Sequence, residues 1–457
     1  MAGASLDRDL TTGTIGSHFK ALAVPAAIGM LFSTLYNVVD VYFAGMISTQ
    51  AQAGLAVGFQ AFFINMAVGF GLGAAMGALV GKAKGGRDEG RARLLAVQGI
   101  GLGVLLTAAL MVIAVWLGPA LITLVSEPGE YRDAGISYFM WLILALPGFL
   151  LAYGGNGVLQ ARGDTKSLQR ALVVAFFANV GLNPLFIFGI PGVVPGMGFN
   201  GIAFSTVVSQ TGVMLYILYQ LFGRKIMQGL RLADFVPDVE VYRVVLRQML
   251  PTSLSIAVMF MTGFVIQYYL KEFGGSAVAA YGIALRVEQI MLLPVLGMTG
   301  ALLPIAAQNF GANDHARVRE AVFYCWKLGF LMMLVACPVL WFGAEWAMGL
   351  FTSDPEVIRV GVSYLHVDGF VLPFYMMLFS INSFLQALQK PIWTLWIGVY
   401  RQGIAVALFV FLFVRVWEFD VWGVWFGVAV AVISGWVLAM WVAQKVARDV
   451  IGGLWVR

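Results

Sequence analysis

The chain is short of charge. Only 11% of its 457 residues are Asp, Glu, Lys or Arg, against about 25% in an ordinary soluble domain. With 60% hydrophobic residues beside them, a fully solvated surface cannot be built. Soluble enzymes, disordered chains and nucleic-acid-binding domains are excluded, so the net charge of +5 does not argue for a nucleic-acid partner. Cysteine and histidine are nearly missing. Cys325 and Cys337 share one apolar stretch at no metal-ligand spacing, and read as packing residues. There is no phosphate-binding loop and no His-Glu-x-x-His helix. Gly69-x-Gly71-x-Gly73 lies inside an apolar segment and reads as close helix packing, not as a nucleotide loop. No enzyme activity, cofactor or metal is therefore expected. Whatever this chain does is passive or driven by an ion gradient.

Long hydrophobic runs fill the space that charge leaves. Twelve apolar segments can be counted, the first near 19–46 and the last near 421–444. Each can supply the roughly 20 residues that cross a bilayer. The first run, of about 28 residues, is too long for the apolar core of a cleaved signal and reads as a spanning helix. With the N-terminus inside, 23 Lys and Arg fall at cytoplasmic ends and only Arg132, Lys271, Arg359 and Arg415 outside, while Arg286 lies within a span. The positive-inside rule then places both termini in the cytoplasm of a cell (inner) membrane protein.

The sequence also repeats itself at an offset of 226 residues. Pro25 matches Pro251, Gly85-x-x-Asp88-x-x-Arg91-x-Arg93 matches Gly311-x-x-Asp314-x-x-Arg317-x-Arg319, Pro147 matches Pro373, and Asn156 matches Asn382. Each copy holds six spans, so both copies keep one membrane orientation, as in parallel-repeat transporters. The expected fold is all-α: twelve transmembrane helices in two six-helix bundles. The expected division is an N-lobe at 1–222, a basic linker at 223–242 that includes Arg224 and Lys225, and a C-lobe at 243–457.

Five ionisable residues fall inside the spans: Asp40, Arg286, Glu288, His366 and Asp368. A charge at a helix centre costs about 2.5–3.5 kcal/mol on insertion scales, so each needs a reason. Asp40 shares a helical face with Tyr36 and Asn37, and the fifth span offers Asn179 and Asn183 one turn apart at similar depth. Pro184 frees a carbonyl beside them. The repeat supplies an internal control, because adding 226 turns Asp40, Asn179 and Asn183 into Ile266, Ala405 and Phe409. A polar cluster kept in one copy and erased in the other points to cation coupling by Asp40, Asn179 and Asn183, with interhelical glue as the alternative. The substrate is expected near Tyr36, Asn37, Asn156 and Asn179, with Pro25 as a hinge. Glu288, Asp368 and Arg286 are secondary candidates. His366 and Asp368 read most simply as interfacial side chains near the outer end of the tenth span.

With these residues assembled, the chain resembles the MATE (multidrug and toxic compound extrusion) transporters, prokaryotic and DinF-like, over essentially its whole length. The resemblance rests on Pro25 with Asp40, on Gln160-Ala-Arg162-Gly163-Asp164-Thr165, on Asn179-x-x-Leu182-Asn183-Pro-Leu-Phe-Ile-Phe-Gly189, and on Gln308-Asn309-Phe-Gly311-Ala312. It implies export of amphipathic, often cationic drugs by antiport against H⁺, or possibly Na⁺, with alternating access and a bend at Pro25. A monomer in the lipid bilayer is expected. Counting from the prolines puts Met259 and Met376 where the Na⁺-type branch carries acidic residues, which disfavours that branch's C-lobe site. The alternatives are an Na⁺-coupled drug antiporter and a flippase of lipid-linked precursors. The flippase should line its cleft with several basic residues, and the spans show only Arg286.

Overall fold

The computed structural model describes residues 7–223 and 229–455, so Arg224 and Lys225 of the expected linker lie outside the described residues. Among the described residues there are twelve helices long and apolar enough to cross a membrane. In chain order they are α1 Ile15–Ile47, α2 Thr49–Gly85, α3 Glu89–Val125, α4 Glu130–Ala161, α5 Lys166–Phe188 and α6 Asn200–Phe222. They continue with α7 Val239–Leu270, α8 Gly275–Gly311, α9 His315–Gly349, α10 Pro355–Ala387, α11 Pro391–Val416 and α12 Val421–Ile451. The only strand-like feature described is an isolated bridge between Ile190 and Val194. In hydrocarbon every backbone polar group must be satisfied within its own segment, which is why the apolar runs become helices.

The 226-residue offset is visible in the backbone. Asp88 caps α3 by accepting from the Arg91 amide at 2.8 Å, and Asp314 caps α9 by accepting from the Arg317 amide at 3.0 Å. The residue before each cap is left-handed, Arg87 at φ 59° and Asn313 at φ 57°. Gly163 at φ 81° and Gln389 at φ 58° form a second such pair. The repeated loop is therefore a repeated helix start, in which one carboxylate satisfies an amide that the helix leaves free.

Two compact units emerge: residues 1–9 with 28–253, and residues 10–27 with 254–457. Both boundaries differ from the expected 1–222 and 243–457, and they fall inside α1 and α7, close to the repeat-related Pro25 and Pro251. In the first unit, the stretch after the described gap is fastened to α3. Buried Gln98 donates to the carbonyls of Asp234 and Val236, both at 2.7 Å, and accepts from the Asp238 amide at 3.0 Å. Gln98→Ala would leave these groups without their partner. A loss of about 1–3 kcal/mol is expected, read as a lower unfolding midpoint of the purified protein.

Several residues that carried the family resemblance prove to be fasteners. Arg162 donates to Asp7 at 2.5 Å and to Glu89 at 2.8 Å, and Lys84 also pairs with Asp7. Asp164 accepts from the amide of Ser167 at 3.0 Å and from its hydroxyl at 2.6 Å. In the second unit Gln308 accepts from the Leu10 amide at 2.9 Å, and Asn309 donates to the Leu10 carbonyl at 3.1 Å. Partial burial raises the Asp7 pKa, but Lys84 and Arg162 outweigh it and hold the carboxyl below its ordinary value. A carboxyl depressed in the folded state stabilises above its unfolded pKa and loses that contribution as pH falls. The midpoint gap between wild type and Asp7→Asn should therefore stay constant from about pH 5 to 8 and close below about pH 4.

Candidate functional site

The first unit buries a polar cluster built around one carboxylate. Asp40 on α1 is 4% exposed, and Asn179 and Asn183 on α5 are 0% exposed. Spacing by four on α5 aims both amides the same way, as an i, i+4 pair must be. Asn179 Nδ2 donates to Asp40 Oδ1 at 3.0 Å and Asn183 Nδ2 donates to the same oxygen at 2.9 Å. Thr206 on α6 donates to the other oxygen, Oδ2, at 3.2 Å. Asn179 also reaches the Ser205 hydroxyl at 3.3 Å, and Asn183 reaches Asn179 Oδ1 at 3.2 Å. Among the described residues the buried Asn183 Oδ1 has no hydrogen-bond partner.

Every described group hydrogen-bonded to Asp40 is thus a neutral donor, and among the described residues no Lys, Arg or His forms an ion pair with it. Among the described residues no group of three or more His, Cys, Asp or Glu is placed to hold a metal. The chemistry open to such a carboxylate is to gain and lose a proton or a monovalent cation. Its repeat-related positions are apolar in fact as well as in sequence. Ile266 and Ala405 are buried in the second unit's core, and Phe409 packs against it.

The expected substrate residues are placed unevenly. Tyr36 is buried with its hydroxyl beside Thr206, Ser209 and Asn179, although none of them meets it in regular hydrogen-bond geometry. Asn37 instead donates to the Ser33 carbonyl of its own helix at 3.0 Å. Asn156 is buried outside the Asp40 cluster, and its Oδ1 has no partner among the described residues. Close by in sequence, Ser33, Tyr153 and Gln210 line a narrow cleft. Sequence reasoning missed Ser205 and Thr206. Their only signal was the Ser205-Thr206-x-x-Ser209-Gln210 pattern, which sets four polar residues on one side of an apolar helix.

The secondary candidates separate. Arg286 is exposed on α8. His366 stacks on Trp341 at 4.5 Å between centroids, and its Nε2 lies 3.0 Å from the Trp341 carbonyl. Asp368 does not face the surroundings as an interfacial side chain would. It is 4% exposed, because α10 turns it into the bundle toward Glu288, and among the described residues its Oδ2 has no hydrogen-bond partner. Glu288 accepts from the Tyr364 hydroxyl at 2.6 Å. A second basic residue joins them. Arg401, grouped by sequence with the cytoplasmic ends, sits ten residues into α11, in a π-helical stretch at Val399–Ala405. At about 1.5 Å per residue that is some 15 Å along the helix.

Comparison with known proteins agrees with this architecture. A family model described as MatE matches residues 25–185 and 251–412, two stretches that begin at the repeat-related prolines. The FAD transporter of Shewanella oneidensis is 25% identical over 77% of this chain and 77% of its own length. The probable multidrug resistance protein YoeA of Bacillus subtilis is 22% identical over 93% of this chain and 94% of its own. The structure of a MOP superfamily transporter from Pyrococcus furiosus superposes with a TM-score of 0.91 at 23% identity, covering 99% of each chain. Twelve membrane-crossing helices, two repeat-related halves and a match over most of the sequence lead to one assignment: this chain belongs to the MATE family, whose members are multi-pass membrane transporters and not enzymes.

Proposed function

We propose that this protein exports amphipathic, often cationic organic compounds by antiport against protons, with Asp40 as the residue that carries the coupling ion. The observation that carries the reading is the donor set at Asp40. A buried carboxylate without a basic partner is costly to keep charged, so it takes up a proton or a cation whenever one can reach it. Both asparagines turn their NH₂ groups toward Asp40. A Na⁺ ion needs oxygen ligands, so both amides would have to rotate before Na⁺ could bind. A proton needs no such rearrangement. The relatives' names support organic substrates without choosing among them, since one is a probable multidrug resistance protein and another a transporter of FAD.

On this reading the drug binds beside the cluster, near Tyr36, Asn37, Asn156 and Asn179. The cleft at Ser33, Tyr153 and Gln210 would have to widen to admit it, because sites for drug-sized ligands run to about 300–1,000 Å³. Protonation of Asp40 weakens its hold on Asn179 and Asn183, and Pro25, which lacks an amide hydrogen, is where α1 bends. Both termini face the cytoplasm of a cell (inner) membrane, and the protein works as a monomer. Coupling to Na⁺ is the runner-up. A flippase of lipid-linked precursors gains nothing from Arg401, whose charge lies beside Glu288.

Reconstituted protein discriminates among these. With an imposed pH gradient and no Na⁺, drug should accumulate against its own gradient. A Na⁺ gradient at equal pH should drive nothing. Accumulation that follows Na⁺ and ignores pH would overturn the proton assignment, and lipid flipping without drug movement would overturn the antiport.

A further inference from the structure

The second unit carries a buried charged cluster that the Asp40 mechanism does not use. Glu288 from α8 and Asp368 from α10 are 7% and 4% exposed, and they stand close enough to repel one another. Tyr364 donates to Glu288 Oε2 at 2.6 Å, whereas Asp368 Oδ2 has no hydrogen-bond partner among the described residues. Tyr281 packs edge-on against Tyr364 at 5.4 Å. Two carboxylates in so apolar a bundle call for a positive charge. The residue that reaches in is Arg401. Its guanidinium lies over the Tyr375 ring, 5.5 Å from the centroid, and acts electrostatically on Glu288. It reaches that place because Gly435 on α12 has no side chain. A Cβ there would meet Arg401 Cγ at 2.7 Å and Cβ at 2.8 Å. The π-helical turn that holds Arg401 is a local departure of the kind often found at functional positions.

We propose that Arg401 is a tethered cation, supplying from within the protein the positive charge that the Glu288–Asp368 pair would otherwise take from solution as a metal ion or a proton. The second unit then needs no bound ion of its own. This inference does not rest on the role assigned to Asp40, and its test measures no transport. The titratable groups facing the pair are Tyr281 from α8, Cys337 from α9, Tyr364 and Tyr375 from α10, and Arg401 from α11. Arg401 is the only one of them that is cationic.

The test is thermal unfolding of the purified full-length protein in sodium chloride or choline chloride at matched ionic strength, at pH 8 and pH 6. All variants carry Asp40→Asn, so that the first unit contributes no ion response. The Asp40→Asn parent should unfold at the same temperature in both salts. Arg401→Met keeps the stem over Gly435 but removes the charge. It should unfold several degrees earlier in choline at pH 8 and recover with sodium or with acid. Arg401→Lys should behave as the parent, and Glu288→Gln with Arg401→Met should lose the new ion response. In that background, a parent protein stabilised by sodium, an Arg401→Met protein indifferent to both ions, or a Glu288→Gln/Arg401→Met protein that still responds would each overturn the proposal. If Arg401→Met cannot be purified, recovery of the Glu288→Gln/Arg401→Met protein supports the proposal, and failure of both shows that the arginine serves packing instead.

Discussion

Cells producing Asp40→Asn should be as drug-sensitive as cells without the transporter, although the variant reaches the membrane in normal amount. Asparagine has the shape of aspartate, and its Oδ1 can still accept from Asn179 and Asn183, now at 3.0 and 2.9 Å from Asp40. Thr206, which donates to Oδ2 at 3.2 Å, can turn its hydroxyl and accept instead. The cluster keeps its packing and loses only the ability to bind and release a proton. A proton crossing about 100 mV is worth roughly 2.3 kcal/mol, more than a tenfold concentration ratio. The variant should lose that ratio and keep passive drug binding. Resistance near wild type at equal expression would remove Asp40 from coupling and turn attention to Glu288 and Asp368.

Asn179→Ala should have the next largest effect. It removes one donor to Asp40 at 3.0 Å and the Ser205 contact at 3.3 Å, and it deprives Asn183 of an acceptor at 3.2 Å. A hydrogen bond to a charged group is worth about 1.5–3 kcal/mol, or roughly 10–100-fold in an equilibrium. Drug resistance should fall by a factor in that range. The matched control is Ala405→Gly at the repeat-related position in the second unit, where the side chain touches only core, and resistance there should stay within twofold of wild type. Equal losses at both positions would show that packing, and not the cluster, sets the rate.

Much of this was legible in the sequence, for reasons that can be stated. Apolar runs and a fixed offset specify helices and a repeat, because hydrocarbon admits few other structures. Asp40, Asn179 and Asn183 stood out because a charge in a span demands partners, and two amides one turn apart at similar depth could supply them. Thr206 was hidden because a hydroxyl in an apolar helix ordinarily bonds its own backbone, as Thr34 and Thr107 do here. Arg401 was hidden by its nearness to Lys390, which made it look like a helix-end cation. The helical course from Pro391 carries it inward, and its stem runs against Gly435. Asp368 looked interfacial by counting from the helix end, yet the face it occupies decided its burial. The unit boundaries lie inside α1 and α7, where composition changes nothing and the prolines alone mark the place.

The central claim is that drug and proton compete through Asp40, and proton release on drug binding tests it most directly. In weakly buffered detergent solution, at a pH where the carboxyl is partly protonated, adding drug to the wild-type protein should release up to about one proton per drug bound, by linkage. Asp40→Asn should bind the drug and release none. Equal proton release from the two proteins would contradict the account.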